Sequence, residues 1–276
     1  MVLLLPRPAR RGLPVSIDDS LRGALQRLAA AEKLLVALDF DGVVAPIVAR
    51  AEDARPLPET ADAVARLAGL PRTWTAYVSG RALASLVAVA SPDPRTQLIG
   101  SHGAEVRLGG EEHPVTLDPD QRDALADLHR VFTEISSQAP GTWVEEKPAG
   151  RVLHTRQADR EDAATAVGAA KQQLASRRDI FLKEGKEVLE GSVVHVTKGE
   201  GLAFLRQVTE ADAVFFAGDD VTDEDGFLAL EAGDLGLKVG PGDTAASFRV
   251  ERPEDVADVV ALLAQLRSEL PAQRTP

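Results

Sequence analysis

Cysteine is absent from the 276 residues. That excludes disulfides, thiolate catalysis and thiolate metal ligation. Positive charge is in deficit: 31 Lys and Arg stand against 43 Asp and Glu, a formal charge of −12. This balance argues against nucleic acid or an anionic membrane as the main partner. It still permits a phosphorylated substrate, because a local basic cluster and a metal are enough to hold one. No apolar run approaches the roughly 18 residues that a membrane span requires. The start, Met1-Val-Leu-Leu-Leu-Pro6-Arg, has too short an apolar run for a secretion signal and carries its Arg after that run, not before it. A cytoplasmic protein is expected. Internal repeats and low-complexity segments are also missing.

What is present suits a globular protein. Apolar residues make up 44% and charged residues 27%, ordinary proportions for a chain with a sizeable core. The length allows one large domain or two small ones. One stretch organises the rest: Leu34-Leu-Val-Ala-Leu-Asp39-Phe-Asp41-Gly42. Five apolar residues running into Asp and Gly predict a parallel strand buried on both faces. Ligands in such sheets sit beyond the carboxyl ends of the strands, so Asp39 and Asp41 are expected at the mouth of a site. An aspartate there can attack phosphorus. A second carboxyl group two residues on can protonate the leaving oxygen and later activate water. The pair can also hold Mg²⁺. A calcium loop of the helix–loop–helix kind fails, because its first and twelfth ligand places would fall on Ala37 and Val48.

Around this stretch the chain divides into three. Residues 1–16 read as a flexible N-terminal arm. From 17 to 104, helices at 17–32, 59–69 and beyond 81 alternate with strands at 34–38, 73–78 and 97–99, the signature of a parallel sheet. From 105 to 192 the pattern changes. A hairpin at 104–115 is followed by helices at 118–137 and 159–177 and by hairpins turning at 148–150 and 185–186, which is an α+β module. Alternation returns at 193–276. The expected fold class is therefore α/β, a Rossmann-like parallel-sheet core (17–104 and 193–276) with an inserted α+β lid or cap (105–192).

A second acidic cluster, Gly218-Asp219-Asp220-Val-Thr-Asp223-Glu-Asp225, again ends an apolar strand. Mutual repulsion makes that crowding unfavourable without a cation, and two acidic strand ends can meet across one Mg²⁺. Between the clusters lie phosphate donors. Ser79 precedes Gly80 and a helix N-terminus. Lys198 opens a helix and can set a positive charge beside nucleophile and phosphate. The order Asp-x-Asp, Ser, Lys, Gly-Asp-Asp is what carries specificity.

These motifs resemble those of the haloacid dehalogenase (HAD) superfamily of aspartate-nucleophile phosphatases. More narrowly, Val78-Ser79-Gly80-Arg81, Gly100-Ser-His102-Gly103, Glu145-Glu-Lys147, His154-Thr-Arg156 and Gly218-Asp-Asp-Val-Thr-Asp resemble the trehalose-6-phosphate phosphatase family. The resemblance implies Mg²⁺-dependent hydrolysis of trehalose 6-phosphate, with Asp39 as nucleophile and metal ligand and Asp41 as general acid/base, giving the metal its backbone carbonyl. Asp219 would ligate the metal with Asp220 beside it, and Asp223 would support them. Ser79, with Gly80, and Lys198 would bind the phosphoryl group. Arg81 and His102 would line the cleft near the sugar, and Glu145, Lys147, His154, Arg156 and Glu190 would meet sugar hydroxyls from the lid. The implied partner is a small-molecule sugar phosphate, with a functional link to a trehalose-6-phosphate synthase; a monomer is expected. Val43 departs from the superfamily's usual Thr, and the approach to Lys198 through His195 is atypical; His195 is read as a core-edge residue. Alternatives are a phosphatase for sucrose 6-phosphate or mannosyl-phosphoglycerate, or a non-catalytic sugar-phosphate sensor.

Overall fold

The computed structural model describes residues 17–113, 115–185 and 187–270. The arm expected at 1–16 and Lys186 of the expected turn lie outside them. In chain order the elements are α1 (Asp19–Ala29), β1 (Leu34–Leu38), α2 (Pro58–Ala68), β2 (Thr73–Val78), α3 (Leu83–Ala90), β3 (Gln97–Gly100), β4 (Glu105–Leu108), β5 (Glu111–His113), α4 (Pro119–Gln138), β6 (Trp143–Lys147), β7 (Gly150–His154), α5 (Arg160–Leu174), β8 (Phe181–Gly185), β9 (Val188–Ser192), α6 (Lys198–Thr209), β10 (Ala213–Gly218), α7 (Asp223–Leu228), β11 (Leu235–Val239), β12 (Phe248–Val250) and α8 (Pro253–Glu269). No helix among the described residues is long and apolar enough to cross a membrane.

Eight strands form one sheet in the order β12-β11-β10-β1-β2-β3-β4-β5, parallel from β12 to β3. β1 lies inside this sheet, every residue buried, which is why it reads as an unbroken apolar run rather than an alternation. Leu34, Val36 and Leu38 join a cluster with Leu25, Leu67, Phe215 and Val260 on one side of the sheet. Leu35 and Ala37 join Leu202, Leu205 and Phe216 on the other. Each fully buried side chain of this size contributes about 1.5–3 kcal/mol. The register sets the site. Leu38 pairs with Ala217 on one side and Tyr77 on the other, so the chain leaves β1, β10 and β2 at adjacent points and releases Asp39, Asp219 and Ser79 side by side.

The hairpin at 104–115 corrects the expected boundary of the insert. β4 pairs antiparallel with β3, and β5 with β4, so both extend the large sheet. A local hairpin signal does not say which sheet the hairpin joins. The second sheet has four antiparallel strands, β6-β7-β9-β8, drawn from residues 143–192. One face packs on α4 and α5 through Leu128, Phe132, Leu153, Leu174 and Leu189. α4 begins on a capping box, Asp118 accepting from Gln121 N and Gln121 accepting from Asp118 N. By the period of two, the other face carries Trp143, Glu145, Lys147, His154, Phe181, Lys183 and Glu190.

Candidate active site at the strand ends

Asp39 continues β1, its N–H donating to Ala217 O at 2.9 Å. Its Oδ1 accepts from Phe40 N (2.7 Å), and its Oδ2 lies 3.0 Å from Lys198 Nζ. Lys198 is the first residue of α6. A capping box there, Thr197 with Glu200, fixes the turn that aims it. Its ammonium also donates to Asp223 Oδ1 at 2.7 Å. Asp39, Asp223 and Lys198 are all buried. Burial opposes charge on all three. On Lys198 that effect is outweighed by Asp39 and Asp223, which hold it protonated above the usual lysine range. On Asp39 burial dominates, helped by Asp223 and Asp219, and raises its pKa.

The acidic loop after β10 is self-ordered. Asp223 Oδ2 accepts from the N–H groups of Asp219 (2.9 Å) and Asp220 (3.0 Å). Asp220 Oδ1 accepts from Thr222 N and Oγ1, both at 2.7 Å. Burial works against ionised Asp220, yet Lys198 and these hydrogen bonds bring it down to about 2. Asp219 makes no such bonds with its carboxylate. Burial, then Asp223 and Asp220, push it up to about 6. Carboxylate oxygens of Asp39, Asp219 and Asp223 lie within 4.8 Å of one another. Hard oxygen donors so clustered fit a divalent cation of the Mg²⁺ type. The expected set named Asp220 as a ligand with Asp223 behind it; the geometry gathers Asp223 and leaves Asp220 capping the turn. Gly42 makes room for the cluster. Its φ is +78°, and a Cβ there would stand 2.1 Å from Asp219 Oδ2.

The remaining expected residues fall into three groups. Ser79 is buried at the end of β2, its Oγ accepting from Arg81 N at 3.2 Å. Arg81 forms a two-point pair with Asp41, Nε to Oδ2 at 2.6 Å and Nη2 to Oδ1 at 2.7 Å. Asp41 therefore presents its side chain to Arg81 and not to the metal cluster. Across the cleft, Lys147 donates to Gly80 O (3.1 Å) and Glu190 Oε1 (2.7 Å), tying the second sheet to the first. His102 Nε2 is 3.7 Å from Glu190, and burial lowers its pKa. Gly80 lets the His102 ring approach, since a Cβ there would meet it at 2.5 Å. The third group lies farther out. His154 bonds Glu145 at 2.8 Å and stacks on Trp143 at 3.7 Å. Arg156 donates to Ala49 O (2.7 Å) and Glu187 (2.9 Å). Neither Glu145, His154 nor Arg156 lines the cavity described next.

A cavity of about 500 Å³ opens between the two sheets, with Lys198, His102, Lys147, Glu190 and Thr222 in its wall. His195, expected at a core edge, is instead exposed in that wall, edge-on to Phe181 at 4.9 Å. Two lysines went unread in the sequence. Lys183 lines the cavity, paired in register with Glu190; alternation from Phe181 would have placed it there. Lys238 is buried in β11 and donates to Asp219 O at 2.6 Å and Asp220 O at 3.3 Å. A lysine inside the apolar run Leu235-Gly-Leu-Lys-Val was its signal.

Comparison with known proteins agrees with this geometry. The model of the trehalose-phosphatase family matches residues 37–253. The trehalose-6-phosphate phosphatase of Escherichia coli is 38% identical over 189 residues, 66% of this chain and 68% of that protein. A bifunctional trehalose-6-phosphate synthase/phosphatase of Thermoproteus tenax is 34% identical over 245 residues, 87% of this chain but only 32% of that protein. The solved trehalose-6-phosphate phosphatase of Aspergillus fumigatus superposes with a TM-score of 0.66 at 28% identity, covering 92% of this chain and 99% of that one. With a match running from the end of β1 through Ser79, the second sheet and the acidic loop, the chain belongs to the trehalose-phosphatase family.

Proposed function

We propose that the chain hydrolyses trehalose 6-phosphate to trehalose and inorganic phosphate through an aspartyl-phosphate on Asp39, in the cytoplasm, as a step of trehalose biosynthesis. The observation that carries this is the arrangement of Asp39, Asp219 and Asp223 around Lys198 at the mouth of a parallel sheet. The names of the Escherichia coli and Thermoproteus tenax relatives support the substrate, and the second of them supports a link to trehalose-6-phosphate synthase.

In this reading Asp39 and Asp219, with Asp223 alongside, hold Mg²⁺, which supplies charge neutralisation between carboxylates and phosphoryl oxygens. Lys198 and the Ser79 hydroxyl orient the phosphoryl group. A carboxylate oxygen of Asp39 attacks phosphorus, the bond from phosphorus to the sugar oxygen breaks, and Asp41 gives that oxygen a proton. Asp41 then takes a proton from water, whose oxygen displaces Asp39 from phosphorus. For its first proton transfer Asp41 has to leave the pair with Arg81, which frees Arg81 to meet the sugar. The unit built on the four-stranded sheet, with α4 and α5, acts as the lid that excludes water while the acyl-phosphate forms. Lys147 and Glu190 face the sugar, because an ammonium and a carboxylate together match hydroxyls that both donate and accept.

Phosphate release from a panel of sugar phosphates, with Mg²⁺ and with EDTA, tests the proposal beside Asp39→Asn. Mg²⁺-dependent release from trehalose 6-phosphate, lost by about 10⁴-fold or more in Asp39→Asn because the nucleophile is gone, is the expected result. Faster release from sucrose 6-phosphate or mannosyl-phosphoglycerate would keep the chemistry and replace the substrate. Binding without release would favour the sensor.

A further inference from the structure

The cations of the cleft are almost all spoken for. Lys198 sits between Asp39 and Asp223. Lys147 is bonded to Glu190, and Arg81 to Asp41. Lys238 holds the carbonyls of the acidic loop, with Glu224 3.6 Å away. Burial lowers the pKa of His102. Lys183 differs. It stands opposite Glu190 in the register of β8 and β9, but Lys147 has taken that carboxylate. Among the described residues Lys183 has no hydrogen bond or ion pair. Its side chain is exposed, but into the cavity between the sheets. The wall around it removes enough water to lower its pKa, and the charges of Asp220, Asp225, Glu190 and Lys198 reach it across the cleft.

An ammonium with no direct hydrogen-bond or ion-pair partner among the described residues, in a cavity that ends on Lys198, can receive an anion. We propose that Lys183 binds the phosphoryl group of the substrate from the lid side, so that the phosphate, and not the sugar alone, draws the second sheet over the first. This rests on the phosphatase reading above. It adds to that reading a residue for which the catalytic chemistry has no need. The same contact is available to inorganic phosphate as product.

Lys183→Met and Lys183→Arg test this with trehalose 6-phosphate as substrate, and with inorganic phosphate and trehalose as separate product inhibitors. An interaction made equally in ground and transition state raises KM and spares kcat. Removing a charge-assisted hydrogen bond should raise KM about tenfold or more in Lys183→Met. Inhibition by inorganic phosphate should weaken by a similar factor, and inhibition by trehalose should stay unchanged. Lys183→Arg, which keeps the charge, should recover most of the loss. The thermal midpoint of Lys183→Met should match that of the parent, because no partner is stranded. An unchanged KM with unchanged phosphate inhibition overturns the proposal. So does weakening of trehalose inhibition alone, which would make Lys183 a sugar contact. Equilibrium binding of trehalose 6-phosphate to Asp39→Asn, with and without Lys183→Met, reads the same contact without turnover. A parent that releases no phosphate but binds less tightly after Lys183→Met would therefore sink the phosphatase reading and keep this one.

Discussion

The two walls of the cleft are charged in opposite styles. On the large sheet, Asp39, Asp223 and Lys198 are buried and locked by backbone: a strand register, a capping box and the turn after β10 leave each side chain one place to go. On the small sheet, Glu145, His154, Lys147 and Glu190 are spaced by strand alternation and satisfied mainly by one another. The first style preorganises attack on phosphorus, whatever the phosphate is attached to. The second presents hydroxyl-matching groups on strands that can be revised one residue at a time. In the proposed reading, chemistry sits on the backbone-locked end of a parallel sheet and selectivity on one face of an antiparallel one.

The sharpest way to break the first wall is Lys198→Met. It strands two buried carboxylates at once, and breaking a buried pair costs about 3–5 kcal/mol. The expected outcome is a fall in unfolding free energy of that order, measured by denaturant titration in EDTA, together with loss of phosphate release. Adding Asp223→Asn removes one of the stranded charges, so the double variant should regain part of the stability and none of the activity. Equal stability of Lys198→Met and the parent would mean that the pairs contribute nothing net.

The second wall should break by acid. Burial disfavours ionised Glu190, but Lys147 and His102 outweigh it and hold its pKa at about 2, below the ordinary value of 4.5. At 3.7 Å, beyond hydrogen-bond reach, His102 is the lesser partner. A carboxylate with a depressed pKa stabilises the fold above its unfolded pKa, and that contribution is lost as pH falls through the folded one. On the order of 2 kcal/mol should therefore disappear between about pH 4.5 and pH 2. In Glu190→Gln this component of the pH profile should be flat, and the variant should be less stable than the parent at pH 7, where Lys147 is left unpaired. A parent profile that overlays the variant below pH 4.5 would contradict the pairing.

The first wall was the more legible of the two, for a physical reason. A buried parallel strand reads as a near-continuous apolar run, so an aspartate directly after such a run points to its carboxyl end. Leu34–Leu38 and Ala213–Gly218 announce Asp39 and Asp219 in this way. Which acid of the following run turns inward depends on the path of a single turn, and it is Asp223, not Asp220, whose carboxylate lies beside those of Asp39 and Asp219. The second wall depends on register. β4 and β5 looked like part of the insert because pairing partners are not written into a hairpin. Lys183 went unread, although alternation from Phe181 sets it opposite Glu190 and in the cavity. Arg81 was expected beside the sugar, and Asp41 claims it across 40 positions of sequence.

Arg156 offers the smallest and most discriminating test of the comparison. The family resemblance places it among the sugar contacts, yet it lies outside the cavity and donates to Ala49 O, on the loop that follows Asp41 and Gly42. Its other partner, Glu187, is an exposed residue beside β9. As a strap between insert and core it should matter little to stability, because exposed pairs contribute about 0.2–1 kcal/mol. Arg156→Ala is expected to lower kcat/KM for trehalose 6-phosphate by less than about threefold, since no substrate atom loses a partner. Inhibition by trehalose should not change. A loss in kcat/KM of about tenfold or more would mean that the strap opens and Arg156 enters the sugar site when the walls meet. The adaptable wall would then extend to the far end of β7, beyond the cavity seen between the two sheets.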